Sequence, residues 1–391
     1  MNLPPVRLAF LAFALTRALP PAADERAAFI TTLGRDTVAL ESFTRSAARV
    51  EGDIMVRIPG TVLCHYVLEL AADGSVKRST LDVKPLGVST LPERHVVIEL
   101  TGDSIFADVD SSGHHDKSRR AAGANTFPQF MTGYGDSYGL YSSLGVYEAL
   151  IQHLVTGTDT VNIPSVNMAT GRTVPRQFLR RSPTAVDADY FMIAWTHLTL
   201  DASGQIVSAD GSETTEKVQS HRVDFLDVPQ AAKRFAALDK AGKGLGLASP
   251  NVIAKGVVGG EMVVVTYGSP RRRDRTILGN VVQYDKVWRT GANEATVILF
   301  DKPMVIGTTT FPAGSYSLWT LPKKDGTVDL IVNSQHGQYG TDYDASHDIV
   351  HIPMKVAKAV TPQDNFIFLI SGSELSMSWD TFVWSVPIAL K

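Results

Sequence analysis

The sequence predicts a mostly β protein in two parts: an N-terminal curved antiparallel sheet packed on one helix, then a C-terminal antiparallel β-sandwich. Three observations carry this. Short alternating apolar segments bounded by Gly, Pro, Asn and Asp recur along most of the chain. One stretch, 140–154, breaks that pattern with a helical period at Leu144, Tyr147, Leu150, Ile151 and Leu154. A Gly-rich run, Gly242-Lys243-Gly244-Leu245-Gly246, has the composition of a linker. With 391 residues, 44% hydrophobic and 20% charged, the chain is long enough for two cores.

In chain order, residues 1–23 read as a signal peptide. Arg7 supplies a basic start, Leu8 to Leu15 an apolar run (Arg17 interrupts its tail), and Ala22-Ala23 a small-residue cleavage zone. The expected location is periplasmic or secreted, or cytoplasmic if this segment is an ordinary helix. No other stretch approaches the roughly 20 apolar residues of a membrane span. The N-terminal domain, 24–228, contains strands at Thr37–Thr44, Arg49–Ile58, Thr61–Leu70, Val76–Val83, His95–Leu100 and Ser104–Val109. After the helix, strands resume at Thr158–Ile163, Tyr190–Leu200 and Lys217–Phe225. Ala72-Asp73-Gly74-Ser75 and Ala202-Ser203-Gly204 supply hairpin turns. A helix from Pro229 to Lys240 opens the connecting segment 229–254. The C-terminal domain, 255–391, has about eight short strands between Glu261 and Trp379, with Thr381–Ile388 a further one.

A meander interrupted by one helix resembles, in layout, the half-barrel domains of bacterial periplasmic lipoprotein carriers. That resemblance implies a small-molecule or lipid-like ligand on the concave face. In the C-terminal domain, Trp288-Arg289-Thr290-Gly291-Ala292-Asn293-Glu294-Ala295-Thr296 is followed by Phe311-Pro312-Ala313-Gly314-Ser315-Tyr316-Ser317-Leu318. These motifs resemble a bacterial domain-of-unknown-function family, serial number twenty-nine eleven, over roughly the last 130 residues. The resemblance implies a β-sandwich, commonly exported, without a settled biochemical role. One departure is Tyr339-Gly340, where the family tends to have Trp-Gly before its Tyr-Asp, here Tyr343-Asp344.

Composition excludes some functions. A net charge of −3 gives no electrostatic footprint for nucleic acid or an anionic membrane. The basic run Arg271-Arg272-Arg273 with Arg275 reads as a solvated turn. Cys64 is the only cysteine, so internal disulfides and multi-cysteine zinc sites are ruled out, and its apolar surroundings predict a buried, inert thiol. Oligomeric state is not written in the sequence.

Three constellations could carry chemistry. The first is the polar set of the family core: Arg289 can grip a carboxylate or phosphate, and Asn293 and Glu294 offer an amide and a carboxylate. Asp344, Asp348 and His351 lie near a later strand start. These residues make either a ligand-binding site or an internal lock in which Arg289 pairs with Asp344 or Glu294. The second is Asp108-Val109-Asp110-Ser111-Ser112-Gly113-His114-His115-Asp116, whose oxygens fall at positions one, three, five and nine of a calcium loop with Gly at six. Position twelve is Arg119 in place of the usual Glu. The loop could take Ca2+, and the two imidazoles suit another divalent cation; a plain polar loop is the competing reading. The third is Gly135-Asp136-Ser137-Tyr138-Gly139, which matches the nucleophile elbow, with Phe127–Met131 as the strand before it and the 140–154 helix after it. Ser137 would be the nucleophile, assisted by His153 and Asp136, or merely a residue near a helix start. Gly102-Asp103-Ser104-Ile105 and Asp348-Ile349-Val350-His351 resemble the opening and closing blocks of the Gly-Asp-Ser-Leu hydrolases, but sit on different domains. Two functions follow: an exported, cation-assisted hydrolase of esters or lactones, or a non-catalytic periplasmic protein that binds an apolar ligand.

Overall fold

The computed structural model describes residues 25–88, 92–123, 125–129, 143–168, 171–190 and 194–391. The signal-peptide segment lies outside them. Polar and apolar residues alternate from Glu25 onward and produce a first meander. It comprises β1 (Glu25–Leu33), β2 (Asp36–Arg45), β3 (Arg49–Val56), β4 (Val62–Leu70), β5 (Val76–Pro85), β6 (Arg94–Thr101), β7 (Ser104–Ser111) and β8 (His114–Ala121). A short β9 (Phe127–Gln129) precedes α1 (Leu144–Leu154). A second meander follows: β10 (Thr160–Asn167), β11 (Thr173–Ser182), β12 (Ala185–Tyr190), β13 (Ala194–Leu200), β14 (Ile206–Asp210) and β15 (Gln219–Val223).

All fifteen strands form one sheet, in the order β8-β7-β6-β5-β4-β3-β2-β1-β15-β14-β13-β12-β11-β10-β9. The seam between the meanders is the antiparallel pair β1–β15. Pairing is antiparallel except at β9–β10, where α1 lies in the connection that a parallel pair requires. The fold class expected from the sequence is therefore present. The expected single strand Tyr190–Leu200 is instead parts of β12 and β13, and β1, β8, β11 and β14 were not anticipated.

α1 is apolar nearly all round, and every residue from Leu144 to Ile151 is buried. It lies against β2, β3 and β9 inside the curl of the sheet. Gly145 permits this closeness: a Cβ there would stand 2.6 Å from the Tyr66 hydroxyl and 2.8 Å from the Phe43 ring. Cys64 sits in the same core, and burial raises its thiol pKa far above the ordinary value, as expected of an inert cysteine.

α2 (Val228–Lys240) is capped by Asp227, whose carboxylate accepts from the Gln230 amide at 2.9 Å. It packs Val228, Ala232 and Phe235 on Leu40 and Met55, the side of β2–β3 away from α1. The C-terminal strands are β16 (Asn251–Val258), β17 (Glu261–Gly268), β18 (Thr296–Phe300), β19 (Met304–Ile306) and β20 (Thr309–Phe311). They continue with β21 (Gly314–Pro322), β22 (Val328–Asn333), β23 (Asp348–Pro353), β24 (Lys355–Ser371) and β25 (Glu374–Leu390). β16 thus begins inside the segment expected to be linker. A six-stranded sheet, β16-β17-β18-β21-β22-β23, faces a four-stranded one, β20-β19-β25-β24. Trp379 and Trp384 fill the space between them, with Trp288 stacked on Trp379 at 6.1 Å. The two strands expected at Ser373–Trp379 and Thr381–Ile388 are one continuous β25.

Candidate functional site

The inward face of the N-terminal sheet is set by register. Val96 stands opposite Val109, Ile98 opposite Ala107 and Leu100 opposite Ile105, so β6 and β7 present three apolar rows to the interior. The curl brings the two ends of the sheet together, and among the described residues no ladder joins them. β9 lies beside β5, a Cβ on Gly171 would meet the Ala107 methyl, and one on Gly123 would meet Pro164. The result is an unclosed barrel. Leu100, Val109, Ala122 and Val161 are only partly buried at the margin of its core.

The helix inside is fixed by carboxylates that sequence reasoning missed. Glu41, on β2, accepts from the Leu144 amide at 2.8 Å, the Gly145 amide at 3.3 Å, the Tyr66 hydroxyl at 2.7 Å and the Ser143 hydroxyl. Ser143 also caps α1, accepting from the Val146 amide at 3.1 Å. Burial raises the Glu41 pKa, and the hydrogen bonds from Ser143 and Tyr66 oppose that rise. Midway along the helix, Glu148 pairs with Arg222 at 2.8 Å and Arg45 at 3.0 Å and accepts from the Ile206 amide at 2.6 Å. Burial raises its pKa too, with both arginines opposing. The available signal was a single carboxylate in an otherwise apolar run, Val38-Ala39-Leu40-Glu41 on the strand and Leu144–Ile151, with Glu148, on the helix.

Ser137 and Asp136 lie outside the described residues. His153 is in the last turn of α1, about 15 Å by helix rise from Ser143, and its ring faces the β4–β5 turn at Gly74. Of the strand expected at Phe127–Met131, Phe127–Gln129 is present as β9, and the rest lies outside the described residues.

The spacing of a calcium loop here forms a hairpin. β7 and β8 are joined by Ser112 (φ 53°) and Gly113 (φ 88°), two left-handed residues of a tight turn. Extended strands send neighbours to opposite faces, so Asp108 and Asp110 share a face with His115 and Lys117, while His114 and Asp116 point the other way. Of the expected ligands, Asp108, Asp110 and His115 come together, with His115 standing 3.7 Å from Asp110, and His114 and Asp116 lie apart from them. Asp108 lies 3.1 Å from Lys117 and 3.5 Å from His115, and the Lys117 ammonium lowers its pKa first. Asp110 accepts from the Gly113 amide at 2.8 Å. Among the described residues no three of His, Cys, Asp and Glu are grouped to hold a metal ion.

In the C-terminal domain, Arg289 donates to the Asn293 carbonyl at 3.2 Å and its guanidinium lies 5.9 Å from the Tyr339 ring centre. Asn293 donates to the Ser249 carbonyl at 3.1 Å, and Glu294 is exposed, bridging to Tyr339 through its backbone. Asp344 caps a one-turn 3-10 helix, Ala345–His347, through the Ser346 amide at 2.9 Å. Asp348 is the best-served carboxylate of the domain. It accepts from Asn333 at 2.8 Å, from the Tyr343 hydroxyl and from His351 at 3.1 Å. The structure therefore brings Asp348 and His351 together and adds Asn333 and Tyr343. Burial first, then the Asp348 carboxylate, raises the Tyr343 pKa.

Residues 249–388 match the family model described as Protein of unknown function (DUF2911), in agreement with the resemblance carried by the Trp288–Thr296 core. No curated protein matches the chain. A crystal structure of a DUF1089 family protein from Pseudomonas aeruginosa is similar to it over 53% of this chain and 97% of its own, at 11% identity and a TM-score of 0.32.

Proposed function

We propose that this chain is an exported, non-catalytic binding protein for a ligand with an apolar chain, seated on the inward face of β6–β7 beside α1. The observation that supports this is the unclosed barrel, with apolar rows continuing to a margin where Leu100, Val109, Ala122 and Val161 are partly exposed. Apolar interiors with a few polar groups are what ligand pockets commonly offer. Glu41 and Glu148 anchor the helix in place, so a ligand would lie against it and not replace it. The hydrolase reading rests on Ser137, His153 and Asp136, or on a metal-bound water near Asp108, Asp110, His114, His115 and Asp116; of these, Ser137 and Asp136 lie outside the described residues.

The test is titration of the full chain with a fluorescent fatty acid, with p-nitrophenyl esters assayed in parallel. Saturable one-to-one binding, displaced by unlabelled fatty acid and weakened at least tenfold by Val109→Arg, is the expected result. The variant's cooperative unfolding is followed alongside, to separate lost binding from lost fold. Ester turnover abolished by Ser137→Ala would replace the binding reading with the hydrolase. Failure of the wild-type chain to bind would end it.

A further inference from the structure

The arginine run expected to be a solvated turn is instead built into the junction between the two domains. Arg273 is 2% exposed and Arg57 is 7% exposed, values that guanidinium groups rarely reach unless fully partnered. Both are anchored on adjacent residues at the start of β2: Arg273 pairs through Nη1 with the Asp36 carboxylate, and Arg57 donates through Nη1 to the Thr37 carbonyl at 2.8 Å. Three buried N–H positions remain without a partner, Nε and Nη2 of Arg273 and Nε of Arg57. Arg275 completes the group. Its Cγ lies 2.9 Å from where a Cβ on Gly34 would stand, and its own nitrogens turn back onto the carbonyls of Arg271 and Arg272.

The surrounding carboxylates do not answer this charge by contact. Asp36 touches only Arg273 within the trio; Asp364 accepts the backbone amide of Arg273, and Asp239 that of Thr61. Among the described residues neither Arg57 nor Arg275 has an ion pair. Burial lowers the Arg57 pKa and brings that of Arg275 down to about 10; Asp239 and Asp36 oppose the shift at Arg57 and Asp364 and Asp36 at Arg275, while the neighbouring Arg273 adds to both. Buried cations that repel one another and keep unused donors are costly unless something anionic joins them.

We infer that Arg57, Arg273 and Arg275 form a site for a small oxyanion, a phosphate-like or carboxylate group, bridging the start of β2 to the 271–275 loop of the C-terminal domain. The planar fork of a guanidinium suits such an anion. A bound oxyanion would accept from the unused nitrogens and tie the domains together, alongside the existing Arg35–Asp274 pair at 2.9 Å and the bond from the Arg35 amide to the Arg273 carbonyl at 3.0 Å.

The experiment measures the melting of the full chain in inorganic phosphate, sulfate, acetate or chloride at constant ionic strength, with calorimetric titration of whichever anion stabilises. The expected result is a saturable rise in Tm of roughly 2 °C or more with an oxyanion over chloride. Binding should weaken at least tenfold in Arg57→Gln and in Arg275→Met, and stay unchanged in the distant surface variant Lys117→Gln. If Arg273→Met does not fold, the other two variants carry the test. Phosphate against acetate distinguishes the two anion classes. No saturable effect in the wild-type chain, or an equal effect in both arginine variants, overturns the site.

Discussion

Single residues decide how the N-terminal core is held. Glu41 has four donors around one buried carboxylate, and its cost is ionisation. Because its folded-state pKa is raised, its contribution to stability is fully present below the ordinary carboxylate range and is lost as pH rises through the folded value. Glu41→Gln keeps an acceptor without the charge. It is expected to match or exceed the wild type in urea unfolding at pH 7 and to flatten the loss of stability that the wild type shows as pH rises above the ordinary carboxylate range. Glu41→Ala strands the donors and should cost about 3 kcal/mol. Equal stability of the Gln and Ala variants would show that the carboxylate does not hold the helix. At this scale some residues were legible and others not. Cys64 is buried as its apolar neighbours foretold. Arg273 was misjudged, because four arginines in five positions read as solvent-facing until a turn from another domain covers one of them.

At the scale of elements, the family core is a turn held by its own backbone. Arg289 reaches the Asn293 carbonyl and flanks Tyr339, and Thr296 donates to the Thr290 carbonyl at 2.8 Å. Arg289→Met should therefore lower C-terminal stability by about 1–2 kcal/mol without abolishing the fold. Four of the five tryptophans lie in this domain, so urea unfolding followed by tryptophan fluorescence reads it directly. A loss of fold would mean that Arg289 carries more of the sandwich than these contacts account for. Strand existence was readable from alternation, whereas strand limits were not. β24 runs on through Lys355–Gln363, a mostly exposed stretch with little apolar alternation, because its pairing with β25 and not a buried face keeps it extended. The Asp108–Asp116 hairpin shows the opposite failure. Ligand spacing in a sequence says nothing about faces, and an extended backbone separates what a coiled loop would gather.

For the whole molecule, the two-part β architecture was legible because both halves repeat a period-two pattern between turn residues. The size of the first sheet was not. Alternation shows that a strand exists but not which strand it joins, and β1 with β15 is a pairing of residues far apart in sequence. Among the described residues, no helix is long and apolar enough to cross a membrane. The candidate binding face was only half legible. Val96, Ile98 and Ile105 were visible as strand residues, but the meeting of Gly171 with Ala107 depends on curvature that no local pattern encodes.

The β1–β15 seam also has a consequence for how the chain is made. Thr31 and Ser220 share a hydrogen bond at 2.8 Å across 189 positions, so β1 waits for most of the domain to be synthesised before its second neighbour exists. Until then β1 presents an open edge carrying Ala28, Phe29 and Ile30, the kind of edge that recruits other chains. Closing so long a loop is slow. A chain cut at Val218 lacks β15 and leaves the seam edges of β1 and β14 unpaired, and sedimentation of that fragment should reveal assembly where the full chain gives none beyond its native state. Such an edge is a reason for the chain to be kept from folding until its last strand arrives.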